Sequence, residues 1–300
     1  MSDVQTIAVI GAGIMGRGIA QAAAVGGYHT ILEDILPNAL RRAETEIREN
    51  LEKAVELGKV SAGDADSAMR RLEYAGSVDE AARPADLVIE AVPEEIESKI
   101  EIFTILDKVC RPTTMLASNT SSLSLTEIAS VTYRAKKIVG MHFFNPVHKM
   151  KLLEVVRALE TDEDTLATAV EVGRRMGKEV VVIKESPGFV TSRINAMIGN
   201  EAFHMLQEGV ASAEDIDKAL KLGLNHPMGP FELVDMVGLD TRLNILEYLH
   251  RTLGEKFRPA DLLVEYVRAG RLGRKTGRGV YEYPAEKDQK TPKPTVHTSA

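Results

Sequence analysis

The most constraining feature of the sequence is a glycine pattern near its start. An apolar run, Thr6–Ile10, leads directly into Gly11-Ala12-Gly13-Ile14-Met15-Gly16, and the residues that follow are typical of a helix. Between a strand and a helix, this G-x-G-x-x-G pattern predicts a turn that binds a pyrophosphate, because its glycines allow a tight turn, close backbone approach and close helix packing. The free N–H groups of the helix start, at Ile14 and Met15, would bind the phosphates.

A carboxylate after the second predicted strand indicates which dinucleotide binds. The strand Tyr28–Leu32 is followed by Glu33 and Asp34, and Asp34 lies 18 residues after Gly16. A carboxylate at this place accepts hydrogen bonds from the ribose hydroxyls and repels a 2′-phosphate, which favours NAD over NADP. Glu33 is the other candidate, but the alternation of side chains along a strand turns it to the opposite side. Asp34 is therefore the predicted ribose ligand.

Strand-like and helix-like segments alternate up to about residue 185. Further short apolar runs predict strands at Asp86–Val92, Met115–Ser118, Ile138–Met141 and Val180–Ile183, and helices are predicted at Pro37–Leu57 and Glu94–Cys110. This alternation is typical of a Rossmann-type, doubly wound α/β domain with a mostly parallel sheet. We therefore predict a dinucleotide-binding domain over residues 1–185.

The pattern changes after residue 185, where no convincing strand appears up to about Arg271. Helices are predicted at Phe189–Glu208, Ala213–Leu222, Pro230–Leu253 and Pro259–Ala269. We predict an all-helical domain over residues 186–284, with the long third helix buried either inside the domain or against another subunit. The polar, proline- and lysine-rich residues 285–300 predict a disordered tail.

Composition and charge exclude several classes of protein. The net charge of −7 argues against a general nucleic-acid partner, and no run approaches the roughly 20 apolar residues of a membrane span. The first residues lack the pattern of a signal peptide, and a single cysteine, Cys110, fits a reducing compartment. We therefore expect a cytoplasmic protein. No His, Cys or carboxylate cluster has metal-ligand spacing, so no metal is expected.

Two polar residues at and after the fifth apolar run, Ile138–Met141, suggest acid–base chemistry. His142 ends an apolar strand, at the edge where ligands bind in an open α/β sheet, and histidine is the side chain best suited to exchange protons near neutral pH. Glu154 lies inside the apolar stretch Lys151–Val156, and buried carboxylates need a partner. A histidine is a natural partner. The alternatives are a histidine satisfied in the core and a solvated carboxylate on an edge strand.

A run of small polar residues follows the strand Met115–Ser118. The run Ser118-Asn119-Thr120-Ser121-Ser122 could donate hydrogen bonds to a carbonyl or hydroxyl oxygen. On the run alone, a plain helix N-cap is the more economical interpretation, since Ser and Thr are favoured there.

Together these segments resemble the 3-hydroxyacyl-CoA dehydrogenases, including the 3-hydroxybutyryl-CoA dehydrogenases, over about residues 4–283. Besides the glycine loop, the matching stretches are Ile89-Glu90-Ala91-Val92-Pro93-Glu94, Ser118-Asn119-Thr120-Ser121-Ser122-Leu123, His142-Phe143-Phe144-Asn145-Pro146, Pro187-Gly188-Phe189, Pro227-Met228-Gly229-Pro230-Phe231-Glu232 and Lys275-Thr276-Gly277-Arg278-Gly279. Such a protein oxidises a short 3-hydroxyacyl-CoA thioester with NAD, or catalyses the reverse reaction.

The resemblance implies roles for particular residues. His142 is then the general acid/base, Glu154 its orienting carboxylate, and Ser121 the hydroxyl that hydrogen-bonds the 3-oxygen of the substrate. Asn145 would hold the catalytic loop or touch the nicotinamide. Four further residues resemble positions that line the cofactor cleft: Glu90, Glu95, Lys99 and Asn119. The resemblance also implies a homodimer formed through the helical domain.

The substrate side departs from the family pattern. Where many relatives have Asn before Arg, after Pro-Gly-Phe, this chain has Ser192 before Arg193, and Asn195 lies on about the same helix face. Ser192 or Asn195 is therefore the expected substrate contact. Lys59, at the end of a helix of mixed charge, is a candidate contact for CoA phosphates, although such a helix face is more often simply solvated.

Two other functions stay open at this point. Dehydrogenases of small free hydroxy acids share a similar glycine loop and a helical second domain, but they resemble a different set of motifs with a catalytic lysine. Some relatives of the family are structural proteins of the eye lens that bind nucleotide with altered catalysis. The segment that contains His142 argues against the first, and the intact pair of His142 and Glu154 argues against the second.

Overall fold

The structure, a computed structural model, describes residues 4–283. The chain divides into two compact units, Met1–Val190 and Thr191–Ala300. The predicted disordered tail, residues 285–300, lies outside the described residues. Within them, no helix is long and apolar enough to cross a membrane.

One eight-stranded sheet organises the first unit. Its strands are β1 (Thr6–Ile10), β2 (His29–Glu33), β3 (Leu72–Ala75), β4 (Leu87–Glu90), β5 (Met115–Ser118), β6 (Ile138–Phe143), β7 (Leu152–Arg157) and β8 (Glu179–Lys184). They lie in the order β3-β2-β1-β4-β5-β6-β7-β8, and every neighbouring pair is parallel except β6 and β7. The predicted doubly wound, mostly parallel sheet is confirmed. The strand order reverses between β1 and β4, which is where such sheets bind ligands.

Helices cover both faces of this sheet, so its central strands are buried on both sides. They are α1 (Ile14–Val25), α2 (Pro37–Glu56), α3 (Ala62–Arg70), α4 (Val78–Ala82), α5 (Ile96–Val109), α6 (Leu125–Ala129) and α7 (Glu163–Arg175). One apolar cluster joins α1, α2 and α7 to one face, and a second joins α4, α5 and α6 to the other. Because parallel strands end at the same edge, Ile10, Glu33, Glu90 and Ser118 lie side by side in register.

The sequence did not predict two of the strands. β3 is a four-residue edge strand with one exposed and one half-buried residue, so its apolar pattern is weak. β7 is buried over Leu153–Val156, and the sequence identified it only as an apolar stretch that contains a carboxylate. Both depend on pairing with neighbours that are distant in the chain, which local patterns do not show.

The second unit is helical in its described residues. Its helices are α8 (Thr191–Gln207), α9 (Ala213–Gly223), α10 (Pro230–Val237), α11 (Leu239–Leu253) and α12 (Asp261–Arg268). The predicted single helix Pro230–Leu253 is wrong, because Gly238 ends α10 and precedes α11 with a φ of 108° that is unfavourable for other residues. The leucines of α11, including Leu239 and Leu246, pack inside this unit.

Two buried carboxylates hold the end of the second unit in place. Asp235 accepts hydrogen bonds from the N–H groups of Val280 (2.8 Å) and Tyr281 (2.9 Å) and from the hydroxyl of Tyr283 (2.9 Å). Asp217 accepts from the hydroxyl of Tyr281 and from two N–H groups at the start of α10. Residues 280–283 are therefore fixed to the helices by charge-assisted hydrogen bonds.

We expect Asp235→Ala to lower the free energy of unfolding by about 3 kcal/mol, because two main-chain N–H groups and a hydroxyl lose their acceptor. Urea denaturation followed by circular dichroism measures the change. The control is Glu247→Ala, which removes an exposed carboxylate from α11. A loss no larger than that of the control would contradict this role of Asp235.

Candidate active site

The glycine loop has the geometry of a phosphate-binding turn. Gly11 has a φ of 98°, and a Cβ there would lie 2.9 Å from the carbonyl oxygen of Ala91. A Cβ on Gly16 would lie 1.7 Å from the carbonyl oxygen of Gly11, whereas a Cβ on Gly13 would meet no atom within 4 Å. Close packing thus requires glycine at Gly11 and Gly16. The space beside Gly13 is open to a ligand at the start of α1, where Ile14 and Met15 begin the helix.

Asp34 lies beside this loop. One oxygen of its carboxylate accepts a hydrogen bond from the N–H of Ala12 and the other from the N–H of Leu36, both at 2.9 Å. The two bonds hold a half-buried carboxylate next to the open space at Gly13, which suits a ribose ligand. These residues fit a bound NAD.

The side chain of Glu33 points into the protein, and its pKa differs from that of an exposed glutamate. Its side chain is buried, as the strand alternation predicts, while its carbonyl oxygen accepts a hydrogen bond from the N–H of Gly11. Burial, and then the charge of Asp34, raise the pKa of Glu33 to about 7. Glu33 therefore carries much less negative charge at neutral pH than an exposed glutamate would.

The antiparallel pairing of β6 and β7 brings His142 and Glu154 together. The two residues are direct partners in the register, and Nδ1 of His142 lies 2.8 Å from Oε2 of Glu154. Both side chains are buried. A carboxylate can only accept this hydrogen bond, so Nδ1 carries the proton and Nε2 is the nitrogen that can exchange one with a ligand.

Aromatic rings and a neighbouring loop fix the histidine further. The ring of Phe144 lies 4.4 Å from that of His142, and the ring of Phe189 lies 5.8 Å from it. The amide oxygen of Asn119, at the end of β5, accepts a hydrogen bond of 2.9 Å from the N–H of Phe143. Asn119 thus ties the strand end that carries the histidine to the neighbouring serine-rich loop.

Ser121 is held by a glutamate that the sequence did not single out as a site residue. One oxygen of Glu94 accepts hydrogen bonds from the N–H of Ser121 (2.7 Å), the Ser121 hydroxyl (3.0 Å) and the Thr120 hydroxyl (2.7 Å). The resemblance implied a place in the cofactor cleft for the adjacent Glu95, whose side chain accepts a bond from Ser98 at the start of α5. Nothing in the sequence separates the two glutamates, because the path of the loop decides which one reaches Ser121.

Glu90 and Lys99 form a buried ion pair beneath the strand ends. Nζ of Lys99 lies 2.7 Å from Glu90 and 3.3 Å from Glu94, and both Glu90 and Lys99 are at most 1% exposed. Burial raises the pKa of Glu90, while Lys99, the Ser118 hydroxyl and a main-chain N–H oppose that shift. Through the contact of Lys99 with Glu94, this buried pair supports the loop that carries Ser121. Contact of Glu90 and Lys99 with the cofactor stays a prediction.

The remaining predicted residues lie at the surface or in the second unit. Asn145 and Lys59 are exposed, Lys59 lying just past the end of α2, and Glu95 is exposed at the start of α5. Ser192 and Asn195 are partly buried in the first turns of α8. Their roles stay predictions.

A cationic cavity of about 750 Å³ lies in the first unit, and the sequence had indicated only Lys59 of its lining. Five lysines and a histidine line it, with apolar side chains from α1 and α2 and no acidic side chain: Lys53, Lys59, His148, Lys149, Lys151 and Lys178. The side-chain oxygen of Gln21, which also lines the cavity, is buried without a hydrogen-bond partner. Such a lining suits a ligand that combines phosphates with an apolar ring.

The fold and the glycine loop define a nucleotide-dependent oxidoreductase of the Rossmann class. The chain belongs to the 3-hydroxyacyl-CoA dehydrogenase family: the NAD binding domain of that family matches residues 6–186, and its C-terminal domain matches residues 188–283. The resemblance read from the sequence is thereby confirmed, and NAD is the cofactor that the family's domain binds.

Individual relatives are similar over their whole length. The chain is 46% identical over 282 residues to a probable 3-hydroxybutyryl-CoA dehydrogenase of Bacillus subtilis, covering 94% of this chain and 98% of that one. It is 43% identical to a 3-hydroxybutyryl-CoA dehydrogenase of Bradyrhizobium diazoefficiens, covering 95% and 97%. The crystal structure of (S)-3-hydroxybutyryl-CoA dehydrogenase from Ralstonia eutropha is similar with a TM-score of 0.91 and 44% identity, covering 94% and 99%.

The raised pKa of Glu33 predicts a pH-dependent stability. Its folded-state pKa of about 7 exceeds the usual 4.5, so ionisation favours the unfolded chain and stability falls as the pH rises from about 4.5 to about 7. We expect Glu33→Gln to be more stable than the unaltered protein at pH 8, by up to about 3 kcal/mol, with little difference at pH 4.5. Thermal unfolding at both pH values measures this.

The exposed Glu52→Gln serves as the control for this comparison. It should change stability little at either pH. An effect of Glu33→Gln that is the same at both pH values would show that ionisation of Glu33 is not its cause.

Proposed function

We propose that this chain interconverts (S)-3-hydroxybutyryl-CoA and acetoacetyl-CoA with NAD, and that His142 is its general acid/base. The observation that carries the proposal is the 2.8 Å contact between His142 and Glu154, made by directly paired residues of β6 and β7. The names of the relatives, 3-hydroxybutyryl-CoA dehydrogenases at 42–46% identity, support the substrate.

The pair of His142 and Glu154, called the dyad from here on, supplies the proton path of this reaction. In the oxidative direction, Nε2 of His142 takes the proton of the 3-hydroxyl group, and the carboxylate of Glu154 stabilises the resulting imidazolium through Nδ1. In the reductive direction, the imidazolium returns the proton to the 3-oxygen. Bound NAD supplies the hydride chemistry at C3. The half-buried ring of Phe144 and the buried ring of Phe189 cover His142 and limit access of water to the proton.

Ser121 binds the 3-oxygen in this proposal, with Glu94 fixing its position. The one proton of the substrate hydroxyl goes to His142, so Ser121 can stabilise the 3-oxygen only by donating its own hydroxyl proton, which here bonds to Glu94. Donation to a carbonyl oxygen requires the hydroxyl to rotate away from Glu94. Asn119, which accepts a hydrogen bond from the N–H of Phe143, and Asn145 complete the proposed set around the dyad.

The cationic cavity is the proposed site of the CoA nucleotide. Lys59, predicted as a phosphate contact, lines it together with residues that follow His142 in the chain, including Lys149 and Lys151. The net charge of −7 would repel a polyanion, so local lysines have to offset that repulsion. Ser192 or Asn195 is the proposed contact for the acyl part.

The decisive experiment follows NADH absorbance with acetoacetyl-CoA, with free acetoacetate and NADPH as controls. We expect rapid NADH oxidation with the thioester and little with either control. His142→Ala should lower kcat by about 10²- to 10⁴-fold, because the general acid is lost. Glu154→Gln should also lower kcat while NADH binding, measured by fluorescence, is unchanged.

NADH binding without turnover of the thioester would contradict an enzymatic role and favour a nucleotide-binding structural protein. Equal turnover of acetoacetate and its CoA thioester would contradict the substrate class. Full activity of His142→Ala would leave the reaction in place and remove the assigned base.

A homodimer formed through the second unit, in the cytoplasm, is the remaining part of the proposal. The single cysteine, Cys110, supports the location, since it excludes an internal disulfide. The second unit exposes several apolar side chains, among them Leu222 (76%) and Leu224 (66%), and exposed apolar patches favour association.

We expect sedimentation to give a mass of twice the 32.8 kDa of one chain. Leu222→Glu should shift the protein toward the monomer, because a buried charge at an interface is costly. Tyr133→Glu, a fully exposed site in the first unit, is the matched control and should leave the mass unchanged. A monomeric unaltered protein would contradict the dimer.

A further inference from the structure

Lys178 is a buried cation that no step described above uses. It lies between α7 and β8 and is 9% exposed. Its ammonium group donates hydrogen bonds to the main-chain carbonyls of Val147 and Met150, the latter at 2.8 Å. Burial lowers its pKa, and within residues 4–283 it forms no ion pair. Two carbonyl dipoles therefore offset the cost of burying this charge.

The carbonyls that Lys178 binds belong to the segment between the two dyad strands. Residues 144–151 join β6, which carries His142, to β7, which carries Glu154. Within this segment, the N–H groups of Lys149 and Met150 donate to the carbonyl of Pro146. Lys178 lies outside this compact turn in the sequence and holds it together through its two hydrogen bonds.

A buried valine anchors the same turn against α1. Val147 is 2% exposed, and a Cβ added to Gly18 would lie 2.9 Å from its side chain. The turn is therefore held on one side by apolar packing and on the other by the Lys178 ammonium. Loss of the ammonium would remove the donor to both carbonyls, of which that of Val147 lies in a buried contact and that of Met150 in a partly buried one.

This turn presents much of the charge of the cationic cavity. His148, Lys149 and Lys151 line the cavity beside Lys178, with Lys59 arriving from the end of α2. Burial, and then the charges of Lys149, Lys178 and Lys59, lower the pKa of His148, which shows that like charges are crowded here. Crowded cations repel one another, so the turn needs an attachment to keep them on one wall.

We propose that Lys178 is a positioning residue for the nucleotide part of the acyl-CoA substrate. It fixes residues 147–150 so that their cations face the cavity before the substrate arrives. This inference rests on the proposed function, because it takes the cavity to bind the CoA nucleotide. The phosphates of the substrate then meet a preformed wall, and less binding free energy is spent on ordering the turn.

The test compares two thioesters with the same acyl group, acetoacetyl-CoA and acetoacetyl-N-acetylcysteamine, of which only the first carries the nucleotide. We expect Lys178→Met to raise KM for acetoacetyl-CoA by about 10-fold with kcat changed less than about 2-fold. Its kcat/KM for the N-acetylcysteamine thioester should stay within about 2-fold of the unaltered protein. Lys108→Met, which removes an exposed lysine from α5, is the matched control and should change neither substrate.

Equal losses on the two thioesters would overturn the proposal, since a general defect of the fold or of the dyad affects both. An unchanged KM for acetoacetyl-CoA would overturn it as well. If Lys178→Met does not fold, Lys178→Arg keeps the charge but alters the geometry of both carbonyl contacts. It should then raise KM for acetoacetyl-CoA alone, by about 3-fold, and the same two outcomes would overturn the proposal.

The unaltered protein separates this inference from the proposed function. Turnover of both thioesters with a strong preference for acetoacetyl-CoA supports a nucleotide site and allows the Lys178 comparison. Turnover without any preference leaves the dehydrogenase activity in place and overturns the nucleotide site together with the role of Lys178. Turnover of neither thioester refutes the proposed function itself.

Discussion

The antiparallel pairing of β6 and β7 is the interaction on which the candidate active site depends. Every other pair of neighbouring strands in the sheet is parallel, and this one exception places Glu154 directly opposite His142. A slip of one residue would turn the carboxylate to the other face of the sheet and break the 2.8 Å contact. The segment between the strands, residues 144–151, therefore also matters for the site, because its length and path help to set this register.

Buried charge supports the polar residues at the strand ends. Lys99 contacts both Glu90 in the core and Glu94 near the surface, and Glu94 in turn holds Ser121 by two hydrogen bonds. A serine held in this way loses little entropy when a substrate binds, which is the benefit of a preorganised site. The same network explains why the carboxylates at this edge are tolerated in the absence of a metal ligand cluster within residues 4–283.

The first unit has two places whose surroundings suit phosphates, in a chain with net charge −7. At the glycine loop, the main-chain N–H groups at the start of α1 face an open space and need no cationic side chain. At the cationic cavity, the proposed site of the CoA nucleotide, lysine side chains supply the positive charge, and Lys178 bonds to the segment that carries Lys149 and Lys151. Local geometry, rather than the overall field of the protein, decides where an anion binds.

The sequence by itself determined the glycine loop, the class of the fold and the exact bounds of β1 and β5, because each follows from local periodicity or from a short motif. Only the tertiary structure decided that Glu154 reaches His142, that Glu94 rather than Glu95 holds Ser121, and that Glu90 and Lys99 are buried. It also decided the break at Gly238 and the cavity around Lys178. These features depend on strand register and loop path, which bring together residues far apart in the chain.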